Sequence, residues 1–179
     1  MRFRGRRLVV VGALGVACVS AGLASAAADN PGRVRVGCDN VIGSESTQEV
    51  KNGGHWRLVL GATSVPISIQ RAFAAPHFQR WRYWSKQGVA VLAGPGPPVE
   101  ISLAPSWTEK ARLTWGNGLP RGTTVVFSRC ARLSSARGQT WLAYAGGFYI
   151  NSPRGCVPLR IHVGRATASV TVGIGRRCP

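Results

Sequence analysis

The stretch LRIHVGRATASVTVGI, residues 159–174, decides the fold class of this chain. Apolar and polar residues alternate through 159–163 and again through 168–174, as they do in a β-strand with one buried face. Gly164 and Arg165 stand between the two runs, and a glycine in that place is typical of a turn. The stretch therefore predicts two antiparallel strands joined in a β-hairpin.

Similar short runs precede the hairpin, with glycine- and proline-rich segments between them. Clear alternation occurs at 99–103 and 111–115, and weaker candidates lie at 56–60, 88–92, 123–128 and 141–150. Helical periodicity is not evident anywhere after residue 28. We therefore predict an all-β domain, an immunoglobulin-like antiparallel β-sandwich of about seven to nine strands.

Two local features of these runs predict close packing. Trp115 shares a strand face with Ala111 and Leu113, so its side chain should point into the core. Gly146 and Gly147 interrupt a strand candidate, and such a pair marks a bulge or a close approach of another backbone segment.

The cysteine count predicts two disulfides. Cys18 lies in the N-terminal apolar stretch, and Cys38, Cys130, Cys156 and Cys178 remain after it. An even number in an exported chain favours disulfides, whereas metal binding lacks support because no C-x-x-C pair is present. Of the three pairings, we favour Cys130–Cys156 with Cys38–Cys178. The alternative Cys156–Cys178 follows if the hairpin brings its two ends together.

The N-terminus has the pattern of a signal peptide. Arg2, Arg4, Arg6 and Arg7 precede an uncharged apolar stretch, and small residues at 24–28 fit a cleavage site. We predict a signal peptide over 1–28 and a single exported domain over 29–179. An uncleaved N-terminal anchor is the alternative, and it is the one membrane contact that the sequence predicts.

The net charge is strongly positive. The chain has 23 Lys and Arg residues against 6 Asp and Glu, and without the four N-terminal arginines the charge is about +13. Such a charge attracts anionic partners. The alternative explanation is the arginine-rich composition that a GC-rich genome produces. Because the arginines are scattered and the chain is exported, nucleic acid is not a predicted partner.

One segment departs from the strand pattern and supplies most of the candidate ligand contacts. Residues 70–84 interleave arginines with aromatic side chains, which can bind phosphate or carboxylate groups and stack on sugar rings. The candidates are Arg80, Trp81, Arg82, Trp84 and, in a loop further along, Trp107. In the alternative interpretation the segment covers an open end of the sandwich, with Phe78, Trp81 and Trp84 in the core.

Catalytic motifs are not evident in the sequence. It contains no G-x-S-x-G, H-E-x-x-H, phosphate-loop or dinucleotide-binding pattern, and nothing singles out a pair among the six acids. The three histidines are ordinary structural candidates. We therefore predict no catalytic residue, no metal and no cofactor.

Several motifs together resemble a known group of proteins. They are CDNVIG (38–43), YWSK (83–86), LTWGN (113–117), YAGGFY (144–149), CVPL (156–159) and GRRC (175–178). The chain resembles an uncharacterised family of small exported proteins from high-GC Gram-positive (actinobacterial) bacteria. The resemblance covers most of the chain after residue 28. It implies a disulfide-bonded fold and an envelope or extracellular setting, and it assigns no catalytic residue.

The sequence thus predicts an exported, non-catalytic β-domain that binds an envelope component. The partner would be an anionic cell-wall polymer or another envelope protein. Two alternatives stay open. One is a small secreted hydrolase whose active site is assembled from distant residues, and the other is a secreted inhibitor-like module.

Overall fold

The structure is a computed structural model, and it describes residues 32–52, 55–75, 80–116, 122–131 and 140–179. The predicted signal peptide over 1–28, together with His77 and Phe78, lies outside the described residues. All of the described residues therefore belong to the predicted exported domain.

The described chain is built mainly of short strands, with one α-helix, α1 (Thr47–Asn52), and two 3₁₀ helices at Cys38–Asn40 and Pro105–Trp107. The strands are β1 (Arg33–Val36), β2 (Val41–Ser46), β3 (Trp56–Val59), β4 (Thr63–Pro66), β5 (Phe73–Ala74), β6 (Tyr83–Lys86), β7 (Val89–Leu92), β8 (Val99–Leu103), β9 (Ala111–Leu113), β10 (Thr124–Phe127), β11 (Thr140–Tyr144), β12 (Gly147–Ile150), β13 (Gly155–Val163) and β14 (Ala166–Ile174).

These strands form three sheets. Sheet A has the order β1-β10-β8-β13-β14, sheet B the order β2-β11-β7-β4-β3, and sheet C the order β5-β6-β12-β9. Among the described residues the strand pairs are antiparallel, except for the parallel pair of β1 and β10. The all-β class is confirmed. The fourteen described strands exceed the expected number because several have only two to four residues and escape a search for alternation.

The hairpin of β13 and β14 is the longest pairing and confirms the prediction made from 159–174. Nine residue pairs join the two strands, from Gly155 opposite Ile174 to Val163 opposite Ala166. Gly164 adopts a positive φ of 60° in the turn, which glycine does without steric cost. The apolar positions of both strands face the core, so the opposite face of the hairpin is free to carry polar groups.

A cluster of buried aromatic rings joins the three sheets. Trp115 packs against Phe148 of sheet C, with ring centroids 5.4 Å apart, and against Phe127 of sheet A at 6.2 Å. Phe127 in turn lies 5.0 Å from Tyr144 of sheet B. The indole N–H of Trp115 donates to the carbonyl oxygen of Gln87 at 3.1 Å, so burial leaves no unpaired donor on this ring. The predicted inward orientation of Trp115 is confirmed.

The two disulfides are present, but the pairing favoured from the sequence is wrong. Cys38 is bonded to Cys130, and Cys156 is bonded to Cys178. The parallel pairing of β1 and β10 sets Val36 opposite Phe127, so the cysteines that follow these strands lie side by side. Cys156 pairs through the hairpin end, as the alternative expected. Two disulfides are typical of proteins that fold in an oxidising compartment, which is consistent with an extracellular protein.

The Gly146–Gly147 pair lies where the chain passes from sheet B to sheet C. Both glycines have φ near +150°. A Cβ on Gly146 would lie 2.4 Å from Cα of Trp115, and a Cβ on Gly147 would lie 1.8 Å from the carbonyl oxygen of Ser85. The predicted close approach of backbone segments is therefore confirmed.

Tyr144 should make the stability of the domain sensitive to alkaline pH. Burial, and secondly the negative charge of Asp39, raise the pKa of its phenol above the usual value near 10. The folded protein keeps this proton where the unfolded chain loses it, so the free energy of unfolding should fall as pH rises through about 10. We expect Tyr144→Phe to show a shallower fall in thermal midpoint between about pH 9 and pH 11. Equal pH dependence in the two proteins would contradict this assignment.

Candidate functional site

The four candidates of residues 80–84 lie in a segment whose first tryptophan is already covered by the protein. Trp81 is buried, with 7% of its surface exposed, and it lies against two guanidinium groups. The Cζ atoms of Arg80 and Arg112 are 5.3 Å and 4.9 Å from its ring centroid. Arg80 also forms an ion pair with Glu109. These contacts cover the ring of Trp81.

Arg112 completes this cluster from strand β9. Its guanidinium donates to the carbonyl oxygens of Thr108 and Ala111. Burial first, and then the nearby charge of Arg80, lower its pKa, while Glu109 opposes this shift. Because Nη1 of Arg112 binds two carbonyl oxygens of the protein, this side chain holds the residues after Pro105–Trp107 in place.

Trp84 and Arg82 lie differently from Trp81. Trp84 is half-buried in β6, and its ring packs against Phe73 with centroids 5.5 Å apart. Arg82 is exposed. The segment thus offers Arg82 to solvent, while its aromatic rings are largely engaged in packing.

Trp107, the fifth candidate, lines a pocket of about 370 Å³. This residue ends the 3₁₀ helix Pro105–Trp107 and is half-buried. Gly155 allows its ring to pack closely, since a Cβ there would lie 2.7 Å from Cη2 of Trp107. Lys110 places its Nζ 5.9 Å from the ring centroid. We call this recess the Trp107 pocket.

The charge of the Trp107 pocket is positive. Its lining includes Lys110, Arg154 and Arg176, and no carboxylate side chain is among its described lining residues. Uncharged polar side chains of Asn151 and Ser152 also line it. An aromatic ring beside several cations suits a ligand that combines a ring with negative charge.

A second and larger recess, of about 840 Å³, lies on the polar face of the β13–β14 hairpin. Its cations are Arg57, Arg160, Arg176 and Arg177, and its described lining again includes no carboxylate side chain. His55 is a further lining residue. We call this recess the arginine groove.

The Cys156–Cys178 disulfide connects the linings of the two recesses. Cys156 lines the Trp107 pocket, Cys178 lines the arginine groove, and Arg176 lines both. The chain after β14 folds back closely, because Gly173 has no Cβ and leaves room for the carbonyl oxygen of Arg176. The bridge therefore fixes the position of Arg176 and Arg177 relative to the hairpin.

The histidine of the hairpin lies away from both recesses. Nδ1 of His162 is 2.9 Å from Oγ1 of Thr167, near the exposed turn. Neither residue lines the Trp107 pocket or the arginine groove. Glu100 lies opposite His162 on the neighbouring strand β8, and it forms an ion pair with Arg33 at 2.8 Å. This arrangement does not bring an acid, a base and a nucleophile together in a cleft.

The described residues also bear on metal binding and on membrane insertion. Within the described ranges, no group of three or more His, Cys, Asp or Glu side chains is placed to hold a metal ion. No helix in the part of the chain that the structure describes is long and apolar enough to cross a membrane.

Comparison of the chain with protein-family models, with curated proteins and with solved structures finds no match. The geometry of the two recesses is therefore the basis for a functional proposal.

None of the cations of the two recesses was among the sequence candidates. Arg57 lies in β3, whereas Arg154 and Arg160 lie just before and within β13, so the proximity of Arg57 to Arg160 depends on contacts between distant strands. A signal was present for Arg176 and Arg177, which directly precede Cys178 and must follow that cysteine to its partner. With the hairpin alternative for the disulfides, these arginines could have been placed beside Cys156.

Proposed function

We propose that this protein is an exported, non-catalytic β-domain that binds an anionic sugar polymer of the cell envelope in the Trp107 pocket. The observation that carries the proposal is the combination of the Trp107 ring with three cations, Lys110, Arg154 and Arg176, in one recess whose described lining includes no acid. The tryptophan supplies an apolar face for a sugar ring, and the cations bind phosphate or carboxylate groups.

Other features support the same proposal. Without the four N-terminal arginines of the predicted signal peptide, the chain carries a net charge of about +13, which draws anionic polymers toward it. The resemblance to exported actinobacterial proteins and the two disulfides favour an envelope or extracellular setting.

Co-sedimentation of the oxidised protein with purified Gram-positive cell walls, across a salt series, tests this proposal. We expect the double variant Lys110→Glu with Arg154→Glu to bind walls at least about tenfold more weakly than the wild type. The matched control is Lys86→Glu with Arg165→Glu, which changes the net charge equally at two exposed positions outside both recesses. The control should lose only the generic attraction, which salt screens.

Trp107→Phe separates stacking from charge in the same assay. Phenylalanine keeps an aromatic ring beside Gly155 but has a smaller face, so binding should be lost at lower salt than for the wild type. Equal losses in the pocket variant and in the control would mean that only generic attraction operates. That result, or the absence of wall binding by the wild type at low salt, would overturn the proposal.

A further inference from the structure

Strand β14 presents an open edge in the described part of the structure. It is the last strand of sheet A, and its other neighbour is a single bridge between Gln70 and Ile174. At that bridge the N–H of Gln70 donates to the carbonyl oxygen of Gly173 at 2.8 Å, and the N–H of Gly175 donates to the carbonyl oxygen of Gln70 at 2.7 Å. Alternate residues of a strand direct these groups to the same side. Ser169 and Thr171 therefore direct theirs outward, as Gly173 does.

The sequence of this edge lacks the usual protection against strand pairing. Exposed edges are normally blunted by charged side chains, by proline or by a bulge. Residues 166–171 read ATASVT, with no charge and no proline, and their pairing with β13 is continuous. A regular, uncharged edge of this kind is a template for an added strand.

The arginine groove lies on the polar face of the β13–β14 hairpin and reaches this edge, where Ser169, Val170 and Thr171 line it. The N–H of Ile67 donates to the carbonyl oxygen of His55 at 2.8 Å, so this N–H is not bonded to β14. Residues 67–69 and residues 169–171 both line the groove. Ile67 and Ile69 are 39% and 49% exposed, so they offer apolar contacts to an occupant.

The charge of the groove selects the kind of occupant. Arg57, Arg160, Arg176 and Arg177 line it, and its described lining includes no carboxylate side chain. An acidic segment is complementary to this surface. A second copy of this chain, paired through the same edge, would bring the same arginines against each other and is disfavoured for that reason.

We propose that the arginine groove binds an extended, acidic segment of another exported polypeptide, which adds to sheet A as a strand beside β14. The backbone of Ser169 and Thr171 provides hydrogen bonds, Ile67 and Ile69 contact apolar side chains, and the arginines bind the acidic ones. The proposal rests on the proposed export only for the location of the partner. It does not require the Trp107 pocket.

The variant Ser169→Pro tests strand addition directly. Proline removes the outward N–H of residue 169 and places its ring on the open edge, where proline is tolerated within a sheet. The probe is a capped octapeptide of alternating glutamate and valine, and its binding is measured by fluorescence anisotropy. We expect Ser169→Pro to bind it at least about tenfold more weakly than the wild type. The control Ser169→Ala keeps the N–H and should bind it as the wild type does.

Amide exchange followed by NMR supplies a second readout, which a merely electrostatic contact would not produce. Bound peptide should slow exchange of the outward amides of Ser169 and Thr171 in the wild type. A lysine–valine peptide of the same length should not bind, because it repels the arginines. Circular dichroism tests whether Ser169→Pro remains folded. If that variant does not fold, two other results test the proposal. Exchange of the Ser169 and Thr171 amides in the wild type should slow on peptide binding, and the double variant Arg57→Glu with Arg160→Glu should bind the acidic peptide more weakly. Unchanged exchange would overturn strand addition.

The outcomes separate this proposal from the proposed function. Equal binding of the acidic peptide by Ser169→Pro and Ser169→Ala would overturn strand addition. So would a wild type that binds walls but not the peptide, and in that case the proposed function would stand. Dimer formation in light scattering that Ser169→Pro abolishes would assign the edge to a second copy and would also overturn it. If the protein binds the peptide with slowed amide exchange but does not bind cell walls, strand addition alone would be supported.

Discussion

Gly147→Ala is expected to lower the free energy of unfolding by more than about 4 kcal/mol. The new Cβ would lie 1.8 Å from the carbonyl oxygen of Ser85 and 3.0 Å from the backbone nitrogen of Gln87. Neither group can rotate away, because both belong to the backbone of residues 85–87, which is paired with Gly146 and Gly147. The positive φ of 145° adds strain for any residue with a side chain. Urea denaturation of the oxidised protein measures the change.

Gly94→Ala is the matched control for this prediction. Gly94 also has a positive φ, 102°, but a Cβ there would meet no atom within 4 Å. It should therefore lose only about 1 kcal/mol, the cost of the backbone conformation alone. If Gly147→Ala unfolds at the same urea concentration as Gly94→Ala, the proposed clash between a Cβ at residue 147 and the carbonyl oxygen of Ser85 is contradicted.

The double variant Cys38→Ala with Cys130→Ala is expected to lower the free energy of unfolding by about 4–5 kcal/mol. The bond closes a loop with a sequence separation of 92 residues, and removing it restores freedom to a large part of the unfolded chain. Cys130 is also buried near Tyr144, so its loss removes packing in the core. Alanine is preferred to serine there, because a buried hydroxyl would need a partner.

The second disulfide provides the comparison. Cys156→Ala with Cys178→Ala opens a loop with a sequence separation of 22 residues, for which the chain-entropy estimate is about 3 kcal/mol. Both double variants are measured by urea denaturation under the same conditions. A smaller loss for the Cys38–Cys130 variant than for the Cys156–Cys178 variant would contradict the argument from loop length.

The sequence predicted those parts of the fold that depend on neighbouring residues. Alternation identified the hairpin of β13 and β14 and the inward side of Trp115, because strand geometry puts every second residue on one face. The Gly146–Gly147 pair indicated the backbone contact, since only glycine leaves such space. These features depend on residues that are close together in the sequence, so they can be predicted without knowing which distant segments pair.

The sequence did not predict the features that depend on pairing between distant segments. Neither the sequence of β1 nor that of β10 indicates that the two strands pair in parallel, yet this pairing determines which cysteine is bonded to Cys38. The arginine groove likewise requires Arg57 from β3 to meet Arg160 from β13. Among the candidate contacts, Trp107 does line a recess, whereas Trp81 had no local signal that Arg80 and Arg112 would cover it.

The linkage of the cysteines has a consequence for the order of oxidation. The loop from Cys38 to Cys130 is complete before Cys156 begins the next one, so the two loops are neither nested nor crossed. A chain that emerges from its N-terminus into an oxidising compartment therefore meets its native partners consecutively. If Cys18 leaves with the predicted signal peptide, an oxidase that joins the remaining cysteines in consecutive pairs would produce the native bonds without help from an isomerase.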